Sequence, residues 1–236
     1  MLRVLAMLAL ASLLMAAPTP RHYRLLAAQS RFTAQLAKTG LLAALGDDHL
    51  IVAGGGAGTV DAEAARPQHP VAWQVRLTLP VAQMVDLDPG ASRVKRDAIT
   101  HHLQSSEQLD SLRYPTIELL GTALAGDDGT GSFVGTLRLH GVTRPVRVPL
   151  AWSQAGATLR VRGRLRLRFS DFGITPARVG LGTIRVRNEF AVEWDAVFQP
   201  DEAAAAGGQS RSSVARVSGP PASPVFNVLA GSKSST

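Results

Sequence analysis

Leu159-Arg160-Val161-Arg162-Gly163-Arg164-Leu165-Arg166-Leu167-Arg168-Phe169 runs straight into Ser170-Asp171-Phe172-Gly173-Ile174 and has the most regular two-sided pattern in the chain. Every even position from 160 to 168 is Arg, and every odd position from 159 to 169 is apolar or Gly. Successive side chains of a strand point to opposite faces. One face is therefore a row of guanidinium groups, and the other is aliphatic and aromatic. A strand this strictly two-sided needs a wet side and a dry side, which an antiparallel sheet curled around an apolar interior supplies.

The same alternation recurs on both sides of it. Downstream, Ile184, Val186, Phe190, Val192 and Trp194 alternate with Arg185, Arg187, Glu189, Glu193 and Asp195, and read as one strand. If it lies antiparallel beside the Arg strand, one register sets Arg164 opposite Glu189 and Arg160 opposite Glu193, each exposed pair contributing about 0.2–1 kcal/mol. Upstream, Val146, Val148, Leu150 and Trp152 form one face of a strand that Gly141 turns into, and Phe133, Leu137 and Leu139 form another. Gly126-Asp127-Asp128-Gly129 is a turn of the expected chemistry. Ile117 and Leu119 alternate with Thr116 and Glu118; Trp73, Val75, Leu77 and Leu79 line a further strand. Near the start, Phe32, Ala34 and Leu36 share a face.

The remaining segments are shorter. Leu41 to Leu45 reads as a short helical or turn segment, and Asp61 to Pro70 as a polar loop. His49–Val52 and Gly58–Val60 are two short strands around Gly54-Gly55-Gly56-Ala57-Gly58, which reads as a flexible hairpin. A phosphate-binding loop is disfavoured there, because the last glycine of that fingerprint, a Gly-Lys-Ser/Thr and a following amphipathic helix are all missing. After Asp88-Pro89-Gly90, the period from Ala91 to Leu109 becomes helical, with Val94, Ala98, Ile99, His102 and Leu103 on one face. These elements predict an all-β fold, a closed antiparallel barrel of about eight strands with one inserted α-helix. The inside of such a barrel is filled by side chains or holds one elongated ligand.

The ends of the 236-residue chain narrow the domain count. Met1–Ala17 has Arg3, an apolar run from Val4 to Met15 and small residues before Pro18, the order of a secretory signal peptide. The apolar run is about 12 residues, against roughly 20 for a bilayer span. From Asp201 to Thr236 the composition turns to Ala, Gly, Ser and Pro, which reads as a disordered tail. One domain over residues 18–200 is expected, in a periplasmic or secreted protein. With no Cys the chain has neither disulfides nor thiolate chemistry. The net charge of +7 is mostly Arg that alternates with apolar residues, and therefore reads as solvated strand faces and not as a nucleic-acid platform.

Motifs for chemistry are scarce. His49, His101 and His102 with Asp47 and Asp48 suggest a metal site. Adjacent helical histidines diverge by roughly 100 degrees, though, and no His-x3-His supports them. Neither Gly-x-Ser-x-Gly nor HExxH occurs, so no catalytic residue, metal ligand or cofactor is assigned.

The segments Arg96-Asp97, His102-Leu103-Gln104-Ser105, Leu109-Asp110, Arg113-Tyr114-Pro115-Thr116-Ile117, Gly135 to Val146 and Ser170-Asp171-Phe172-Gly173-Ile174 follow one another in the order found in the YceI-like lipid- and polyisoprenoid-binding family, which this chain resembles over residues 23 to 198. The spacing departs at Ala98-Ile99-Thr100-His101, which lengthens the family's Arg-Asp-x-His-Leu. The resemblance implies a lipocalin-like barrel, export, and a long isoprenoid or quinone-like chain held in the lumen without catalysis. No nucleic-acid partner is expected, transient contact with a membrane surface is, and the oligomeric state stays open, a homodimer included. The inward faces that would line the lumen comprise Phe32, Leu36, Trp73, Val75, Leu77, Ile117, Leu119, Phe133, Leu137, Phe169, Phe190 and Trp194. Phe172, with Ile174, either caps the lumen or belongs to a turn around Asp171 and Gly173. The alternatives are a pocket hydrolase or isomerase and a ligandless structural barrel.

Overall fold

The structure, a computed structural model, describes residues 21–40, 48–62, 71–126, 128–179 and 183–201. The proposed signal peptide, the tail beyond Asp201, the Leu41–Leu45 segment and most of the loop after Asp61 lie outside them. Fourteen strands are assigned: β1 (Arg21–Leu25), β2 (Arg31–Leu36), β3 (Lys38–Thr39), β4 (His49–Ala53), β5 (Ala57–Ala62), β6 (Val71–Pro80), β7 (Met84–Asp86), β8 (Thr116–Ala125), β9 (Thr130–Leu139), β10 (Val142–Ala155), β11 (Thr158–Arg168), β12 (Arg178–Val179), β13 (Ile184–Val186) and β14 (Glu189–Pro200). The helix α1 is Arg93–Gln104.

The main sheet runs β1-β5-β6-β8-β9-β10-β11-β14, and β14 pairs back onto β1, so eight antiparallel strands close a barrel. The sheet also continues from β14 through β2 and β4 to β7. These extra strands are second halves of kinked ones. β1 and β2 both run along the same edge of β14, with Leu25 opposite Phe198 and Phe32 opposite Trp194. Between them the chain makes a 3-10 turn, Ala27–Gln29. There the Ser30 hydroxyl accepts from Val197 N at 2.9 Å, replacing the missing ladder partner.

The glycine run lies at the next kink. β4 pairs with β2 and β7, whereas β5 pairs with β1 and β6. The hairpin reading of Gly54 to Gly58 is therefore corrected: the glycines bend one strand into its continuation. Gly54 N donates to Gln83 O at 3.1 Å, and Gly55 has φ +61 with the Gln83 side chain where a Cβ would stand. The third kink, Val81–Gln83, separates β6 from β7.

The Arg strand behaves as its alternation requires. Its Arg residues are exposed, and Leu159 and Phe169 are buried. β14 is its neighbour, but Arg164 faces Glu193 and Arg168 faces Glu189, so the sequence-based register was off by four residues. An even slip leaves every side chain on its own face, so alternation alone could not detect it. The single strand read from Ile184 to Asp195 is in fact two. It breaks at Arg187-Asn188, where Asn188 accepts from Phe169 N and Ser170 N, each at 2.9 Å. β13 then joins β3 and β12 in a small separate sheet.

α1 starts at the N-cap Ser92, whose hydroxyl accepts from Lys95 N. It ends by Gln104, whose amide donates to Met84 O at 2.9 Å and Ala82 O at 3.2 Å. The predicted apolar face is rotated: Val94 is 80% exposed and Ala98 is exposed, while Leu103 is buried. Thr100 accepts from Asp86 N at 2.9 Å, which turns the Thr100 and Leu103 side towards β7. The helix covers the end of the barrel where β7, unlike β6, has no ladder to β8.

Gly121 and Gly135 face each other across β8 and β9, with the Phe133 ring lying over both positions. A Cβ on Gly135 would collide with Leu120 O and sit 2.6 Å from Phe133 Cζ. Gly135→Val is expected to cost about 1–3 kcal/mol, read as a lower urea midpoint; an unchanged midpoint would show that the wall yields there.

Candidate ligand-binding lumen

Closing the sheet sends one face of each strand to a common axis. Rows such as Trp73–Ala123–Phe133 and Leu77–Leu119–Leu137 are formed by directly paired residues of β6, β8 and β9. Leu165–Val192–Ala34 continues the ring through β11, β14 and β2. They enclose a cavity of about 190 Å³. Its wall consists of apolar residues and Thr33, whose register partner is the outward Glu193 and whose hydroxyl donates to Glu193 O at 3.4 Å. The cavity reaches members of both core clusters, from Val60, Trp73 and Phe198 towards one end to Leu36, Leu103 and Phe190 towards the other.

Both ends are packed. At one, Trp73 and Trp152 meet edge to face with ring centroids 5.2 Å apart, and the Trp152 indole donates to Gly126 O at 3.1 Å. At the other, Phe169 and Phe190 stack at 4.3 Å.

Phe32, Leu36, Trp73, Val75, Leu77, Ile117, Leu119, Phe133, Leu137, Phe169, Phe190 and Trp194 all line the cavity. Phe172 does not. It is 1% exposed and packs with Ile174 in the core cluster at the α1 end. It closes a 3-10 turn, Phe169–Phe172, whose C-cap Gly173 has φ +69. His140 Nδ1 lies 3.2 Å from Phe172 O, and the Arg144 guanidinium donates to Asp171 O at 2.8 Å, so the turn is tied to the β9–β10 hairpin. The two readings of Phe172 merge: the turn exists, and it packs the barrel end outside the cavity wall.

The lining also includes residues the sequence reading had not assigned. Val148, Leu150, Leu165 and Leu167 carry the same alternation and needed only to be counted on the same face. Leu103 comes from α1 and Leu109 from the loop after it, where Leu109 N donates to Leu103 O at 3.0 Å. The helical period was read through to Leu109, but α1 stops at Gln104 and Leu109 reaches the wall from the loop.

The histidines are dispersed. His49 Nδ1 is 3.1 Å from Asp86 Oδ2, and Asp86 is buried, its other oxygen accepting from Asp88 N at 3.0 Å. His102 Nδ1 is 3.8 Å from Glu107, and His101 is exposed. Among the described residues no three His, Cys, Asp or Glu side chains come together as a metal site; Asp47 lies outside them.

The outer face is electrostatically ordered. Asp195 accepts from Arg160 at 2.6 Å and from Arg162 at 3.1 Å. Hydrogen bonding from Arg160 is the largest effect and holds its carboxyl below the ordinary range; burial opposes it, and the Arg162 hydrogen bond adds a smaller lowering.

The profile of the YceI-like domain matches residues 25–198. Two curated proteins, UPF0312 proteins of Pseudomonas savastanoi pv. phaseolicola and Pseudomonas syringae pv. tomato, are each 27% identical over 124 residues, covering 50% of this chain. The match spans 59% of their own length. Among solved structures, Burkholderia cenocepacia BcnA superposes with a TM-score of 0.56 at 17% identity, over 73% of this chain and 98% of that one. At that identity the likeness is one of fold. A Campylobacter jejuni YceI protein aligns over 51% of this chain and 70% of its own at 16% identity, with a TM-score of 0.37.

Because folding lowers the Asp195 pKa, the pair's contribution is present above the unfolded value of about 3.9 and is lost as pH falls through the folded one. The group is part-exposed, so the effect is under about 1 kcal/mol. Asp195→Asn should lower the urea midpoint at neutral pH and flatten its fall in acid; an acid limb as steep as the parent's would show that Asp195 does not set it.

Proposed function

This chain belongs to the YceI-like domain family, and from that premise we propose that it is an exported, non-catalytic carrier holding one long isoprenoid or quinone-like chain along the barrel axis. The observation that carries the reading is the lumen wall: among the described residues it is apolar apart from Thr33, with no titratable side chain in it. A hydrocarbon needs nothing more. Each buried CH2 contributes about 0.8 kcal/mol, so about ten of them supply about 8 kcal/mol. Association costs roughly 4–15 kcal/mol, so short prenyl chains bind weakly and long ones firmly. The cavity volume of about 190 Å³ exceeds the ~150 Å³ of an apolar cavity that stays dry yet admits benzene.

The non-catalytic reading rests on the same wall. Its one hydroxyl, on Thr33, is outward in register and bonded to a backbone carbonyl. Among the described residues neither a general base nor a nucleophile lines the space a substrate would occupy. Export rests on the Met1–Ala17 pattern. A carrier that loads from and delivers to membranes meets their surface transiently.

Native mass spectrometry of the protein made with its own leader tests both parts. The polypeptide mass is expected to begin at Pro18, and the folded protein to carry a stoichiometric prenyl species that organic extraction releases. Leu77→Trp, which pushes an indole into the lumen, should keep the fold while abolishing that species. A ligand-free parent that also fails to take up added long-chain prenol would refute the carrier reading, and an uncleaved N-terminus would refute export.

A further inference from the structure

The wall of the barrel is unevenly sewn. The β10–β11 ladder runs from Ala155 opposite Thr158 to Leu150 opposite Gly163 and stops there. β10 continues to Val142 against β9, and β11 continues to Arg168 against β14. Residues 142–149 and 164–168 are thus laddered on one side only, although they belong to consecutive strands. The sequence gives the cause: Pro145 and Pro149 in β10 have no N–H to donate, and within sheets Pro is confined to unpaired edges. Above the stop, Leu150 and Trp194 border both the lumen and a shallow groove on the outer face. On the dry side of the open half are the lumen residues Val148, Leu165 and Leu167.

On the wet side are guanidinium groups that neighbouring acids only partly offset. Arg164 meets Glu193 at 3.2 Å, and Arg166 approaches Glu189 only to 3.8 Å. Arg147 and Arg168, both exposed, have no ion pair or side-chain hydrogen bond among the described residues.

We propose that the open half of the β10–β11 seam is a lateral portal to the lumen, and that Arg147 and Arg168 beside it bind the phosphate head of an anionic isoprenoid lipid. The inference rests on the lumen holding the hydrocarbon, and it adds the head group and its location. The Arg147 and Arg168 guanidinium groups, which make no ion pair among the described residues, together carry a charge that matches a phosphate monoester of about −1.5 to −2. Arg offers the paired donors that phosphate oxygens accept. A neutral prenol or a quinone can accept a hydrogen bond from them but gains no charge pairing.

The test compares geranylgeranyl phosphate, geranylgeraniol and inorganic phosphate on the mature protein by calorimetric titration. The phosphate ester is expected to bind about tenfold or more tightly than the alcohol, and inorganic phosphate not measurably. Arg147→Glu/Arg168→Glu should bring the ester down to the affinity of the alcohol and leave the alcohol unchanged; Arg147→Gln/Arg168→Gln serves if the reversed variant fails to fold. Equal affinity of ester and alcohol in the parent, or an ester preference that survives both substitutions, overturns the head-group site. Inorganic phosphate binding as tightly as the ester also overturns it, by making the site one for the free anion. If neither lipid binds, the lumen reading itself fails and takes this one with it. Pro149 and Arg164 directly follow the last paired residues, and the chain has no cysteine of its own. Bridging Pro149→Cys to Arg164→Cys, or capping the two thiols with a bulky maleimide, should therefore slow lipid uptake about tenfold, with reduction reversing the bridge. Uptake at the parent rate in the blocked protein overturns the portal.

Discussion

Everything in this molecule depends on β14 being paired along both edges. One edge takes the whole of β11, and the other takes β2 and then β1. That double pairing turns a sheet with two vulnerable edges into a tube, and a tube buries its backbone polar groups in the wall. The inward side chains then meet only one another. Once the ring is closed, an apolar lumen follows from alternation, and the outward Arg, Glu and Asp follow from the same rule.

The tube is kinked, and the kinks shape its ends. Three adjacent strands bend at one level, each by a different device: a 3-10 turn with a serine bridge, a glycine run, and a second 3-10 turn. Beyond that level β7 leaves the ladder to β8, and α1 covers the gap with Leu103. On the far side, β10 and β11 are laced only from Leu150 to Ala155, and the half of the seam that holds Pro145 and Pro149 is open. The wall is continuous as a ring but has two weaker seams. One is covered by the helix and the other is bordered by arginines.

Strand identity and facing were legible in the sequence, because alternation reports directly which side chain is inside. Twelve of the lumen residues came from that signal alone. Register was not legible, because a shift of four residues preserves every facing and the exposed ion pairs are individually weak. Gly54 to Gly58 misled because a glycine run signals a bend without saying whether the chain reverses. The face of α1 was misjudged since Val94 looks apolar on a helical wheel, while the bond that Thr100 accepts from Asp86 N and the one that Gln104 donates to Met84 O fix the helix orientation. Pro145 and Pro149 were an available signal for the unlaced seam, written into an otherwise regular strand. Leu109 was read as the end of the helix, whereas its place depends on a loop folding back onto α1.

The central claim is that the axis of this barrel is a greasy space open to a guest and not a plug of its own side chains. A crystal structure of the mature protein purified from its native compartment tests it most directly. One elongated feature of electron density with regularly spaced methyl branches is expected between Leu119 and Leu165, flanked by Trp73 and Trp194. Side chains of β8 and β11 in van der Waals contact across the axis, with no room between them, would contradict it.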